Sequence, residues 1–236
     1  MAENDRATTD PAPCSPGEKE RGDGEGPYGV PEPRPYPGMT AARYFQTVKE
    51  KAGDGTRDGD AAFRLALCYR DGYGVEKSTL RFLSHLIDAE LWKAPGAHEL
   101  LGRQDVDEIY RLGEKLTAAE RWPAAFRFFR TAARMGKAHA WACLGDQCLR
   151  GRGLPRSPEI AAQMFFRGAE AGDACCQRAL ARLYETGTGL PRDPDKAARW
   201  LRRAAAQDGR EKMPTDGMAH GSVPFPPEKD VEVRVK

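Results

Sequence analysis

The sequence predicts an all-α chain folded as an α-solenoid of stacked helix-turn-helix repeats with disordered termini. Three observations predict it. The first is an internal duplication: Gly136–Ala171 and Gly172–Gln207 are adjoining copies of 36 residues each. They share Gly136/Gly172, Leu144/Leu180, Gly151/Gly187, Gly153/Gly189, Pro155/Pro191, Pro158/Pro194 and the alanine pairs Ala161-Ala162 and Ala197-Ala198. Self-similarity at this period marks a stacked array, in which one unit cannot bury its own apolar face without its neighbours. The second is an apolar stripe: Cys176, Leu180, Leu183 and Tyr184 fall at i, i+4, i+7 and i+8, one face of a helix. The third is the loop TGTGL, whose Gly187 and Gly189 supply the left-handed backbone that ends a helix.

Taken in order, residues 1–38 are rich in proline, glycine and charge, with eight acidic and four basic side chains. They hold too little apolar surface to offset the entropy of ordering and are expected to form a disordered acidic arm. Pro31, Pro33, Pro35 and Pro37 favour extended polyproline backbone but miss the PxxP spacing. The repeat array is expected over 39–209. It opens on a half unit, TAARYFQTVKEKAGDG from Thr40, which has the Ala-Ala-x-aromatic start of the later AARWL. Asp58–Tyr69 then places Ala61, Leu65, Cys68 and Tyr69 at the stripe spacing, and DGYGV forms its loop.

Between Ser78 and Gln104 the pattern weakens. STLRFLSHLIDAELWKA is amphipathic and predicted helical, whereas APGAHELLGRQ reads as an insertion. A shortened unit follows: VDEIYRLGEKL, the linker TAAERW and PAAFRFFRTAARMG. The two full copies come next. In each, Ser157-Pro158 or Asp193-Pro194 starts the second helix, the side chain accepting from free amide donors and proline filling the first helical position. Residues 210–236 are polar and expected to be a disordered tail, whose alternating VEVRVK could add as a strand to a partner's sheet.

The copies resemble the Sel-1-like repeat family, a relative of the tetratricopeptide repeats. The likeness rests on Ala140 four residues before Leu144-Gly145, on the loop G-x-G-[L/V], and on paired alanines followed by an aromatic. Cys176 and Ala181 depart from the alanine and glycine of that pattern but stay small. The resemblance implies an adaptor or scaffold that offers a long surface, lined mainly by first helices, to a protein or peptide partner. It also brings in secreted, cysteine-rich bacterial members described as penicillin-binding hydrolases. Those carry regularly spaced disulfide cysteines and a signal, neither of which is seen here.

Composition narrows the function. Charged residues make up 31% and apolar residues 40% of the 236, and no run approaches the length that spans a bilayer. The start, MAENDRATTDPAPCSPG, shows no secretory pattern, so a cytoplasmic or nuclear site and reduced cysteines are expected. His85, His98, His139 and His220 are scattered, and no nucleophile elbow or phosphate loop occurs. No catalytic residue and no cofactor is therefore assigned.

His139 and Cys143 stand at i and i+4 on one helix face, and Cys175 holds the position equivalent to His139 one copy later, so stacking would bring metal-ligating side chains together. No metal ligand is assigned, because Cys68, Cys148 and Cys176 stand where the repeat requires a small buried group. From Arg121 to Arg210 there are 17 Lys/Arg against 8 Asp/Glu, while the whole chain is only +2. Such a half suits an acidic partner. Nucleic acid is the alternative, a poorer fit without a recognisable module.

The partner-binding candidates are Trp141, Arg64, Gln177, Arg178 and Arg182, all first-helix positions off the apolar stripe. Trp141 leads, since its equivalents are Gln177 and Ala62 and the repeat does not require an aromatic there. The bland alternative is that it fills a gap between irregular units. Trp200 and Leu201 in the final helix have no helix after them to cover them. Either the tail folds back over them or a second copy meets them in a homodimer.

Overall fold

A computed structural model describes residues 39–53 and 57–208. The arm and tail expectations for 1–38 and 210–236 lie outside the described residues. Among those residues the elements are α1 (Ala41–Gly53), α2 (Gly59–Asp71), α3 (Thr79–Leu91), α4 (Ala97–Gly102), α5 (Val106–Ala118), α6 (Trp122–Arg134), α7 (Ala140–Arg150), α8 (Pro158–Glu170), α9 (Ala174–Thr186) and α10 (Pro194–Asp208), with no strand. Among the described residues α2/α3, α5/α6, α7/α8 and α9/α10 pack side by side as four hairpins behind the leading α1. The first helices α7 and α9 also touch one another, as do the second helices α3 and α6. This is the predicted all-helical stack.

The local chemistry repeats with the sequence. Asp58, Ser78, Asp105, Ser157 and Asp173 each accept a backbone N–H in the first turn of α2, α3, α5, α8 and α9. Asp193 accepts from Lys196 N–H at 2.9 Å to start α10. In three hairpins the residue that opens the second helix donates its N–H to the same carbonyl of the first helix: Ser78 to Tyr69 at 3.1 Å, Ser157 to Cys148 at 3.0 Å and Asp193 to Tyr184 at 2.9 Å. The arginine after each proline of the twin loops also donates back, Arg156 Nε to the Leu149 carbonyl at 2.9 Å and Arg192 Nε to that of Glu185 at 3.0 Å.

The second glycine of these loops is where one hairpin meets the one before. Gly189, at φ +74°, lies so near the first turn of α8 that a Cβ there would stand 2.3 Å from the Pro158 carbonyl oxygen. Gly153 approaches Trp122 and Pro123 of α6 in the same way, and Gly74 approaches Ala41 of α1. Only glycine satisfies both the left-handed backbone and the close approach. The spacing of the glycines thus fixes how far each hairpin is set from its predecessor.

The core runs between the helix pairs. Tyr44, Phe63, Leu83, Leu86, Ile109, Phe128, Phe129, Leu144 and Leu180 are all fully buried, as are Cys68, Cys148 and Cys176. The five described cysteines are free thiols. Burial pushes the Cys68 and Cys148 thiols up to about 11, so both stay protonated and pack as small apolar groups.

The irregular middle differs from the sequence reading in two details. Thr117 and Ala118 close α5 and Trp122 opens α6, so the expected linker TAAERW shrinks to three residues, 119–121. In place of a glycine that turn holds Glu120 at φ +57°. The insertion folds as the one-and-a-half-turn α4 beside α3, and α6 reaches past it to α3. Arg127 pairs with Asp88, and Arg134 with Glu90 at 3.0 Å, tying α6 to α3 across the insertion.

Candidate functional site

The sequence candidates gather on α7 and α9, with one exception. Arg64 lies on α2 in the first hairpin, where its guanidinium holds Asp60 at 2.8 Å and meets the Tyr44 hydroxyl of α1. These hydrogen bonds hold its proton more firmly than in a free arginine. Arg64 is therefore committed within the chain.

Arg178 and Arg182 are both exposed on α9 and stand four residues apart, one turn along the same face. Arg178 Nη2 lies 3.5 Å from the Cys175 sulfur. Trp141, on the neighbouring α7, is half-buried beneath the Arg167 guanidinium, 5.5 Å from its ring centroid. Its Cβ lies against Gly168 of α8, where any side chain would collide. Trp141 therefore shows one part of its surface to α8 and another to solvent.

Gln177 was expected on the surface, and the structure corrects this: it is fully buried. Its Nε2 donates to the Ala169 carbonyl at 3.1 Å, meeting an acceptor in the last turn of α8. A polar residue off the apolar stripe reads as solvent-facing, but here the amide serves the end of the neighbouring helix. A similar correction applies to Trp200, which is 4% exposed and packs edge-on against Phe166 at 6.1 Å. Leu201 remains 40% exposed at the end of the array.

Three chemically versatile side chains meet where α7 and α9 begin. His139 Nδ1 lies 2.8 Å from Asp173 Oδ2, and the donor atoms of His139, Asp173 and Cys175 all fall within 4.8 Å of one another. Cys143, paired with His139 in the sequence reading, is not in this group and instead lies 3.5 Å from the Tyr110 hydroxyl. Burial pushes its thiol up. For Asp173 burial works against ionisation, but the Cys176 N–H and the His139 ring outweigh it and keep the carboxyl below its ordinary value. Sequence reasoning missed Asp173 because an aspartate before a helix already has an explanation as a cap.

A family profile described as Sel1 repeat matches residues 59–81, 123–137, 144–173 and 176–209. The array belongs to the Sel1 repeat family. The Sel1 match omits 82–122, which holds most of α3 together with α4 and α5, the stretch where the sequence pattern also weakens. Among solved structures, a Sel1 repeat protein from Oxalobacter formigenes is 26% identical with a TM-score of 0.43, covering 71% of this chain and 65% of that one. The c5321 protein, a protective antigen of uropathogenic Escherichia coli strains with an SLR fold, is 22% identical with a TM-score of 0.38, covering 71% of this chain and 34% of that one. This chain thus matches only part of the length of either protein. No curated protein matches it. Sel1 repeats generally mediate protein–protein interaction and are typically non-catalytic. No described helix is long and apolar enough to cross a membrane.

Proposed function

We propose that the array is a scaffold that binds an acidic peptide or protein segment along α7 and α9. The observation that carries this reading is the pair Arg178 and Arg182, exposed one turn apart on the first helix α9, with the half-exposed Trp141 on the α7 that α9 touches. Two guanidiniums at this spacing match carboxylates on an extended segment, and an adjacent indole supplies apolar area at small entropic cost. The excess of basic over acidic residues in this half adds long-range attraction. Gln177, being buried, takes no direct part.

Fluorescence anisotropy with labelled acidic peptides tests the reading. Joint reversal of Arg178→Glu and Arg182→Glu should weaken binding about tenfold or more and flatten its salt dependence. Arg64→Glu, far along the array, should leave binding unchanged. Equal affinity before and after the reversal would sink the proposal. Tighter binding of single-stranded nucleic acid than of any acidic peptide would favour the nucleic-acid alternative. Trp141→Ala separates its two roles: lost binding with unchanged melting marks a contact residue, and a large fall in melting marks a packing residue.

A second reading concerns the end of the stack. Leu201 lies four positions before Ala205 and three after Ala198, all exposed on one face of α10, which suits contact with the same face of a second copy. Light scattering on the full chain should then show a dimer that Leu201→Glu dissociates. A monomer at all concentrations would remove this reading.

A further inference from the structure

The meeting of His139, Asp173 and Cys175 has no part in peptide binding as proposed above, yet its geometry follows from the repeat. His139 and Cys175 hold equivalent positions 36 residues apart, so the stacking of α7 on α9 brings an imidazole and a thiol to one place. Asp173 is fixed between them. Its Oδ1 accepts the Cys176 N–H at 2.7 Å, and its Oδ2 faces His139 Nδ1 at 2.8 Å, so the second oxygen is already aimed. We propose that His139, Asp173 and Cys175 bind a zinc ion, with water in the fourth position.

The donor set selects the metal. A thiolate and an imidazole favour a borderline-soft cation, one carboxylate is tolerated by zinc, and three ligands are too few oxygen donors for calcium or magnesium. Ligands at about 2.0–2.3 Å from zinc stand roughly 3.3–3.8 Å apart in a tetrahedron. The observed donors lie within 4.8 Å of one another; on binding, His139 Nδ1 and Asp173 Oδ2, now 2.8 Å apart as a hydrogen-bonded pair, open by about half an ångström and the exposed Cys175 side chain turns toward them. On binding, the Cys175 S–H bond breaks, its proton passes to solvent, and the sulfur lone pair forms the metal bond. The metal takes the place of the proton between His139 Nδ1 and Asp173 Oδ2, and that proton is exchanged through solvent onto Nε2, leaving a neutral ring whose Nδ1 lone pair forms the metal bond. Cys176 cannot replace Cys175, because its sulfur is buried against Gly168.

Cobalt(II) titration of the full-length chain, held reduced with a phosphine, is the test. The proposal expects one cobalt per chain, with the thiolate-to-metal charge-transfer band and the intense visible bands of four-coordinate cobalt, both lost when zinc is added. Cys175→Ser should abolish the charge-transfer band. His139→Ala should weaken binding about tenfold or more. Cys143→Ser should change neither, and circular dichroism of each variant should match the parent because 139 and 175 are partly exposed. A pale octahedral spectrum without a charge-transfer band would overturn the proposal, as would a band that survives Cys175→Ser. Peptide affinity plays no part in this readout, so either proposal can fail without the other.

Discussion

The twin hairpins α7/α8 and α9/α10 and the shortened hairpin α5/α6 solve the same packing problem by different means. Each twin is set against its predecessor by a backbone contact: Gly153 at α6 and Gly189 at α8. The α5/α6 turn holds neither glycine. There, side chains take over, with Arg127–Asp88 and Arg134–Glu90 reaching across the insertion to α3. Backbone contact holds the loop glycines to one spacing, and that spacing is what makes the twin copies legible as copies. Side-chain pairing tolerates a great deal, and the sequence pattern has faded where it is used.

Substitutions can break this comparison, starting with the strongest. Gly189→Ala forces a Cβ into the Pro158 backbone at a left-handed φ and should destabilise the chain by about 3 kcal/mol, measured by urea unfolding. Cutting the middle pair should cost less. Glu90 is 13% exposed in its side chain, and Glu90→Ala should lower stability by about 1–2 kcal/mol. A double-mutant cycle with Arg134→Ala should recover part of that loss as coupling. If Glu90→Ala costs as much as Gly189→Ala, the two modes of attachment do not differ as described.

A third substitution should act in the opposite direction. Gln147 is 3% exposed in α7, with its Oε1 unpartnered among the described residues, at the position that Leu183 holds in α9. Gln147→Leu restores the apolar stripe and should raise stability by about 1 kcal/mol. The smallest effect is one of pH and belongs to the front of the array. His85 stacks on Tyr69 at 5.5 Å, and burial lowers its proton affinity below the ordinary 6.5, helped by Arg127 and Arg81 and opposed by Asp88. The unfolded chain therefore takes up this proton first as pH falls. Stability is full above about 6.5 and declines below it, and His85→Gln should remove that part of the decline.

The fold was legible because its determinants are local and repeat. Glycine spacing, cap residues and a stripe at helical period placed α2 and the twin hairpins, the Ala-Ala-x-aromatic start shared with AARWL placed α1, and the break at Ser78–Gln104 located the insertion. The surface was less legible. Gln177 looked exposed because its sequence position is polar, yet burial there depends on a carbonyl of α8 that no local pattern reveals. The group of His139 with Cys175 was visible from repeat arithmetic, but its third member, Asp173, was hidden behind its role as a helix cap. Trp200 looked uncovered because it lies in the last helix, and Phe166 of the previous unit covers it. In each case the missing information is a contact between neighbouring hairpins.

Hydrogen exchange on the full chain and on Gly189→Ala tests the stacking account most directly. The account predicts faster exchange in α9, α10 and the first turn of α8, with α2 and α3 exchanging as before, because each hairpin leans on its neighbour through that loop. Equal acceleration along all ten described helices, or none in the first turn of α8, would contradict it.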